Sequence, residues 1–171
     1  MRSMSLLLAS IGAVLCIGAA KGAPPRLPPD NKVILQADAP VKILTYQAAY
    51  QPGGNYSREG IVHNVEYQNI SDKPIVAVEF GLVAFDVWNE FLDHTGGVTI
   101  ETVAPQATQK GTWVASRYAD FSFHTGVAYV SKVRFDTGDV WKADLNVIVA
   151  ELKKIQADFD AANLKKRALG K

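Results

Sequence analysis

The stretch AVEFGLVAFDVWNEFLDHTGG, Ala77 to Gly97, decides the fold. Read with Ile75 and Val76 before it, it alternates with period two. Val76, Val78, Phe80, Leu82 and Ala84 form one face. Ile75, Ala77, Glu79, Gly81, Val83 and Phe85 form the other, which is nearly as apolar. A strand apolar on both faces lies centrally in its sheet or beneath another element. Asp86-Val-Trp-Asn-Glu90 then reads as a strand end, a turn at 87–89 and a return strand, because Asp and Asn bond nearby backbone and tolerate turn conformations. Asp93-His-Thr-Gly-Gly97 reads as the next turn.

Other segments share this character. In IVHNVEYQN, Ile61, His63, Val65 and Tyr67 share one face, and Val62, Asn64, Glu66 and Gln68 the other, as in a half-buried strand. NISDKP is a turn. KVILQAD, VKILTYQAAY, EFLDH, GVTIETV, GTWVASRY, VAYVSKVRF and VWKA supply further short strands. QPGGNYSREG is a loop, APQATQKG a polar connection, ADFSFHTG a connecting segment and DTGD a tight turn. Eight or nine short strands with turns between them predict a sandwich. The period changes at the end of the chain. Leu145, Ile148, Leu152, Ile155, Phe159 and Ala162 follow spacings of three and four, predicting an amphipathic helix over 145–169. Asp144 or Asn146 caps its start, and Lys165, Lys166 and Arg167 suit its end. It packs on its own domain or on a partner.

The chain opens with Arg2, an apolar run from Leu6 to Ala20 and small residues, the layout of a secretory signal peptide over 1–22. The run is shorter than the ~20 residues of a membrane span. Cleavage is expected after Gly22, with no span left afterwards; an uncleaved N-terminal anchor is the alternative. Cys16 suggests a lipoprotein site, but Leu15 stands where such sites carry a small residue. APPRLPPDN, 23–31, is a Pro-rich linker ahead of a sandwich over 32–144. The whole chain has 18 basic and 17 acidic residues. Removing 1–22 takes away Arg2 and Lys21, leaving a net charge near −1 and no basic footprint for nucleic acid. The one cysteine and both methionines leave with the signal, and with them any disulfide, thiolate or thioether site.

Chemical motifs are sparse. Asp86, Glu90, Asp93 and His94 are the densest group, and a small envelope hydrolase or metal-binding protein built on them is the second reading. Asp93 and His94 move away from the turn by about 3.3 Å per residue along the strand, so the four are not expected to converge. No H-E-x-x-H, EF-hand, G-x-S-x-G or phosphate-loop pattern is present. His63, His94 and His124 are far apart in sequence, and His63 reads as a hydrogen-bonded, half-buried side chain. Trp141 reads as core and Trp113 faces either way. Trp88 sits in the turn, where an indole is hardest to bury. A carbohydrate-binding module using Trp88, with Trp113, is the third reading. No cofactor or metal is expected; Trp88 and His94 are the candidate ligand or partner contacts.

The stretch VEYQNISDKPIVAVEFGLVAFDVWNEFL resembles small bacterial envelope domains of the FxLYD type. The matching residues are Val65, Tyr67, Asn69, Ser71, Ile75, Val78, Phe80, Leu82, Phe85, Asp86 and Leu92. VSKVRFDTGDVWKAD is similar to the closing hairpin of related immunoglobulin-like domains. The resemblance covers about Gly60 to Asp144. Phe85 stands where tyrosine is usual and Asn89 where glycine is common, and the C-terminal helix lies outside the pattern. The resemblance implies an immunoglobulin-like sandwich without catalysis, and it transfers no functional residue. The expectation is thus a mainly β, immunoglobulin-like antiparallel β-sandwich with a C-terminal α-helix. It is periplasmic or secreted by a bacterium, non-enzymatic, and binds or scaffolds an unidentified protein or envelope component. Glu79 is expected to tune solubility or contacts.

Overall fold

The computed structural model describes residues 27–54, 59–115 and 122–165. The predicted signal peptide, the start of the linker and the last residues of the predicted helix lie outside them. The elements are β1 (Asp30–Val33), β2 (Val41–Gln51), β3 (Gly60–Asn69), β4 (Ile75–Asp86), β5 (Phe91–Thr99), β6 (Thr108–Ala115), β7 (Phe123–Phe135) and β8 (Val140–Lys142). A helix, α1 (Leu145–Leu152), and a 3-10 turn at Ala161–Leu164 follow. The strands form two sheets. One is ordered β1-β7-β4-β5, with β8 beside the second half of β7; the other is β2-β3-β6. Neighbours are antiparallel except β1 and β7, which run parallel from Asp30↔Thr125 to Val33↔Ala128. The expected sandwich is formed, with one helix at its end.

The core explains why β4 is apolar on both faces. Val78, Phe80, Leu82 and Ala84 face the second sheet and meet Val41, Ile43, Tyr46, Val65 and Tyr67. Tyr67 and Phe80 pack with ring centroids 5.0 Å apart, and Phe80 and Trp113 at 5.6 Å. Val83 and Phe85 face outward, under a second cluster with Val127, Tyr129, Ile148, Leu152, Phe159 and Leu164. The C-terminal segment therefore docks in cis, on the outer face of the four-strand path.

Asn69, fully buried, closes the turn before β4. Its Nδ2 donates to the carbonyls of Lys73 (2.8 Å) and Val103 (3.0 Å). Its Oδ1 accepts from the Ser71 amide (3.0 Å) and hydroxyl (2.7 Å). The spacing N-x-S is a turn staple: one buried amide satisfies backbone groups that would otherwise be stranded.

Four expectations are corrected. The linker ends earlier than 31, because Asp30 and Asn31 belong to β1. Asn31 is held there by its Oδ1, which accepts from the Ala48 amide at 2.9 Å. Asp93–Gly97 is strand, not turn: β5 runs unbroken to Thr99. Gly97 serves close packing instead, since a Cβ there would meet the Trp113 ring at 2.6 Å. Of the predicted connection ADFSFHTG, Phe123 to Gly126 are strand, because β4 is paired with β7 along its length to Asp86↔Phe123; its first three residues lie outside the described residues.

The helix is the fourth correction: it ends at Leu152, not 169. A straight helix of that predicted length would run about 37 Å, whereas four strands span roughly 19 Å. The chain instead turns back over the sheet. The Gln156 side chain accepts from the Phe91 amide at 3.1 Å, and Asp160 caps the 3-10 turn through the Ala162 amide at 2.7 Å. Ile148, Leu152, Phe159 and Leu164 are buried by this route, while Leu145 stays exposed. Asp144 is the helix cap, accepting from the Asn146 amide. No helix among the described residues is long and apolar enough to cross a membrane.

Candidate functional site

The hairpin between β4 and β5 is built around the Asp86 carboxylate. Its Oδ1 accepts from the amides of Trp88 (2.8 Å) and Glu90 (2.9 Å). The Asp86 amide donates to the Glu90 carbonyl, and the Asn89 amide to the Asp86 carbonyl. Asn89 takes φ 63°, a left-handed conformation that Asn tolerates better than most residues. The Val87 amide donates to the Ser122 carbonyl, tying the tip to the chain before β7. Asp86 is thus committed to its turn. Asp86→Ala is expected to destabilise by about 1–2 kcal/mol, since two amides lose a charged acceptor. Asp86→Asn, which keeps one side-chain oxygen, should recover part of that loss in a urea melt. Equal losses in the two variants would contradict the assignment.

This turn presents Trp88 to solvent, 78% exposed, with Val87 beside it. The indole is the most prominent apolar group on a fixed part of the tip. The other tryptophans serve the fold. Trp113 lies in the gap between the edges of the two sheets, against Gly97 and Gly111, with Nε1 donating to the Val98 carbonyl at 3.4 Å. Trp141 is half-buried against the core and donates to Asp38 at 3.1 Å. Trp88 and Trp113 therefore do not share a stacking surface.

The four polar residues of the hairpin are spread along it. Glu90 is exposed at the turn, Asp93 lies opposite Ala84 and His94 opposite Val83. Glu90 and His94 are separated by about 13 Å of strand. Among the described residues no group of three His, Cys, Asp or Glu side chains is placed to hold a metal ion.

His94 belongs to a different cluster, one that sequence reading missed. Its ring stacks on Tyr129, centroids 6.2 Å apart and planes 8° apart, and its Nε2 lies 3.1 Å from the Tyr129 hydroxyl. Tyr129 is buried, its ring over Gly81. Burial, and then the nearby Glu79 carboxylate, push its hydroxyl up to about 12, so it stays protonated at neutral pH and acts only as a hydrogen-bonding group. Glu79 pairs with Lys132 at 3.2 Å, its side chain only 16% exposed. Glu79 is thus a partner in this cluster and not a free surface acid. The available signal was register: β4 aligned with β7 puts Glu79 beside Lys132 and Gly81 beside Tyr129.

His63 is buried more deeply than expected, facing the core between the sheets. Its Nδ1 lies 2.9 Å from the Tyr46 hydroxyl and the two rings stack. Burial pushes its imidazole down to about 4 and raises the Tyr46 hydroxyl. His124 Nδ1 is buried with no hydrogen-bond partner among the described residues.

No protein-family model matches the chain, and no curated protein matches it. Among solved structures, a hypothetical protein from Peptoclostridium difficile 630 is similar, with a TM-score of 0.50 and 11% identity over 70% of this chain and 92% of that one. A Northeast Structural Genomics Consortium target aligns with a TM-score of 0.42 and 11% identity, over 61% of this chain and 80% of that one. At such identity the first likeness speaks to fold alone.

Proposed function

We propose that the protein is an exported, non-enzymatic sandwich module of a bacterial cell envelope, and that it binds a protein or other envelope component through the β4–β5 hairpin tip. One observation carries the reading: a tryptophan is held out in water by a turn whose carboxylate is spent on fixing it. Burying an indole is worth about 3 kcal/mol, and tryptophans on rigid supports are common anchors of interfaces. Export is supported by the layout of residues 1–22. The likeness to FxLYD-type envelope domains, carried by residues from Val65 to Leu92, includes Asn69, Ser71 and Asp86, which take part in stapling turns.

The test is crosslinking in the native host. A photo-reactive residue in place of Trp88 is expected to give discrete adducts in the envelope fraction, whereas the same group at exposed Gln47 on β2 gives none. Trp88→Ala should then weaken binding of the captured component at least about tenfold while leaving the melting temperature unchanged. Absence of adducts at position 88, or adducts of equal yield at both positions, would sink the proposal. Glycan binding that vanishes in Trp88→Ala would transfer the same site to a sugar ligand.

A further inference from the structure

The outer face of the first sheet is covered over only part of its length. The C-terminal segment lies over Val83, Phe85, Val127 and Tyr129. Toward the far end of β7 the face is open, and register assigns its side chains. Val133 and Trp141 are opposite each other and pack against the core between the sheets. Side chains alternate along a strand, so Lys132, Arg134, Val140 and Lys142 point outward. Glu79 joins them there through its ion pair with Lys132.

Three cations thus share one ribbon of two strands. Lys132 and Lys142 are directly opposite across β7 and β8, about 5 Å apart at Cβ, with Arg134 about 7 Å farther along β7. Like charges placed directly opposite weaken strand pairing. Glu79 neutralises one of the three. Among the described residues neither Arg134 nor Lys142 forms an ion pair, and both are exposed. Of the acids nearby in sequence, Asp144 caps α1 and Asp139 lies 4.0 Å from Lys73. Asp136, in the turn past the end of β7, pairs with neither cation.

Aliphatic side chains stand among these cations. Exposed Val140 is opposite Arg134, and exposed Val98 is opposite Glu79. Leu145 and Val147, a few residues past Lys142 at the start of α1, are exposed as well. Unpaired cations among exposed aliphatics suit the surface of an anionic bilayer, where phosphates attract the charges and the acyl boundary takes the apolar groups. We infer that this open part of the outer face docks peripherally on anionic lipid headgroups, with Lys132, Arg134 and Lys142 toward the lipid phosphates. Glu79 is about 23 Å along β4 from Asp86, so the docking face is separate from the hairpin tip. The inference stands independently of the binding reading.

Cosedimentation of the protein, purified from its host, with lipid vesicles tests it. Vesicles of equal parts phosphatidylglycerol and phosphatidylcholine should bind about tenfold or more tightly than phosphatidylcholine alone, and high salt should abolish the preference. Arg134→Gln combined with Lys142→Gln should remove most of that preference. Lys42→Gln, the loss of an exposed cation on the other sheet, should keep it. Arg134→Lys combined with Lys142→Arg preserves the charges and should keep it too, which separates charge from folding. Equal binding to the two kinds of vesicle overturns the inference. So does a preference that survives the double glutamine variant, or one that Lys42→Gln or the charge-preserving pair removes. Binding of soluble polyphosphate with none to the vesicles would overturn it as well, assigning the face to a free phosphate chain.

Discussion

Phe159→Ala is expected to lower the unfolding free energy by about 3–5 kcal/mol, the usual cost of truncating a buried aromatic. The residue is 1% exposed. Its ring packs against Phe85 at 5.9 Å and Phe91 at 5.6 Å, joining the C-terminal segment to both strands of the hairpin. The loss should appear as a lower urea midpoint. Ala161→Ser, an exposed change two residues on, should leave the midpoint within about 0.5 kcal/mol of wild type. If Phe159→Ala were equally mild, the C-terminal segment would not be part of the folded unit. The expected size follows from the architecture: without this lid, Val83, Phe85, Val127 and Tyr129 would face water on the outer side of the sheet.

Acid should destabilise the protein through His63, by about 3 kcal/mol in all. The imidazole is held down to about 4 when folded, from an ordinary 6.5. Below 6.5 the unfolded chain takes up a proton that the folded core refuses. The contribution is therefore complete above pH 6.5, is lost as pH falls, and is gone near pH 4. The loss runs at about 1.4 kcal/mol per pH unit within that window. Urea melts of wild type and His63→Gln between pH 6.5 and 5 check this above the main carboxylate range. Wild type should lose roughly 2 kcal/mol more than the variant over that interval. Parallel pH profiles would show that His63 is not buried in its neutral form.

What the sequence made legible follows period and turn chemistry. The double-faced strand 75–86 was readable because both alternating sets are apolar. The turn at 87–89 was readable because Asp86 and Asn89 are suited to side-chain bonding and a left-handed backbone. The long β5 was hidden because Gly96 and Gly97 imitate a turn; their reason, a tryptophan ring from another sheet, is a tertiary fact. The helix was overextended because the spacing of Ile148, Leu152, Ile155 and Phe159 suits helix, and only the width of the sheet obliges the chain to turn back. Of the candidate contacts, the exposure of Trp88 was foreseeable from its turn. The stacking of His94 on Tyr129 was not, since it depends on β5 and β7 flanking β4 in register.

β7 has a wider role than any single contact gives it. It pairs with β4 on one side and with β1 and β8 on the other, and Asp30 meets Thr125 across 95 positions of sequence (125 − 30). A growing or threading chain therefore holds β1 without its partner until β7 is available. Sheets with such distant pairings fold slowly, because loop closure precedes any gain from pairing. The first sheet therefore cannot be completed before β7 is available, whereas β2, β3 and β6 can pair without it.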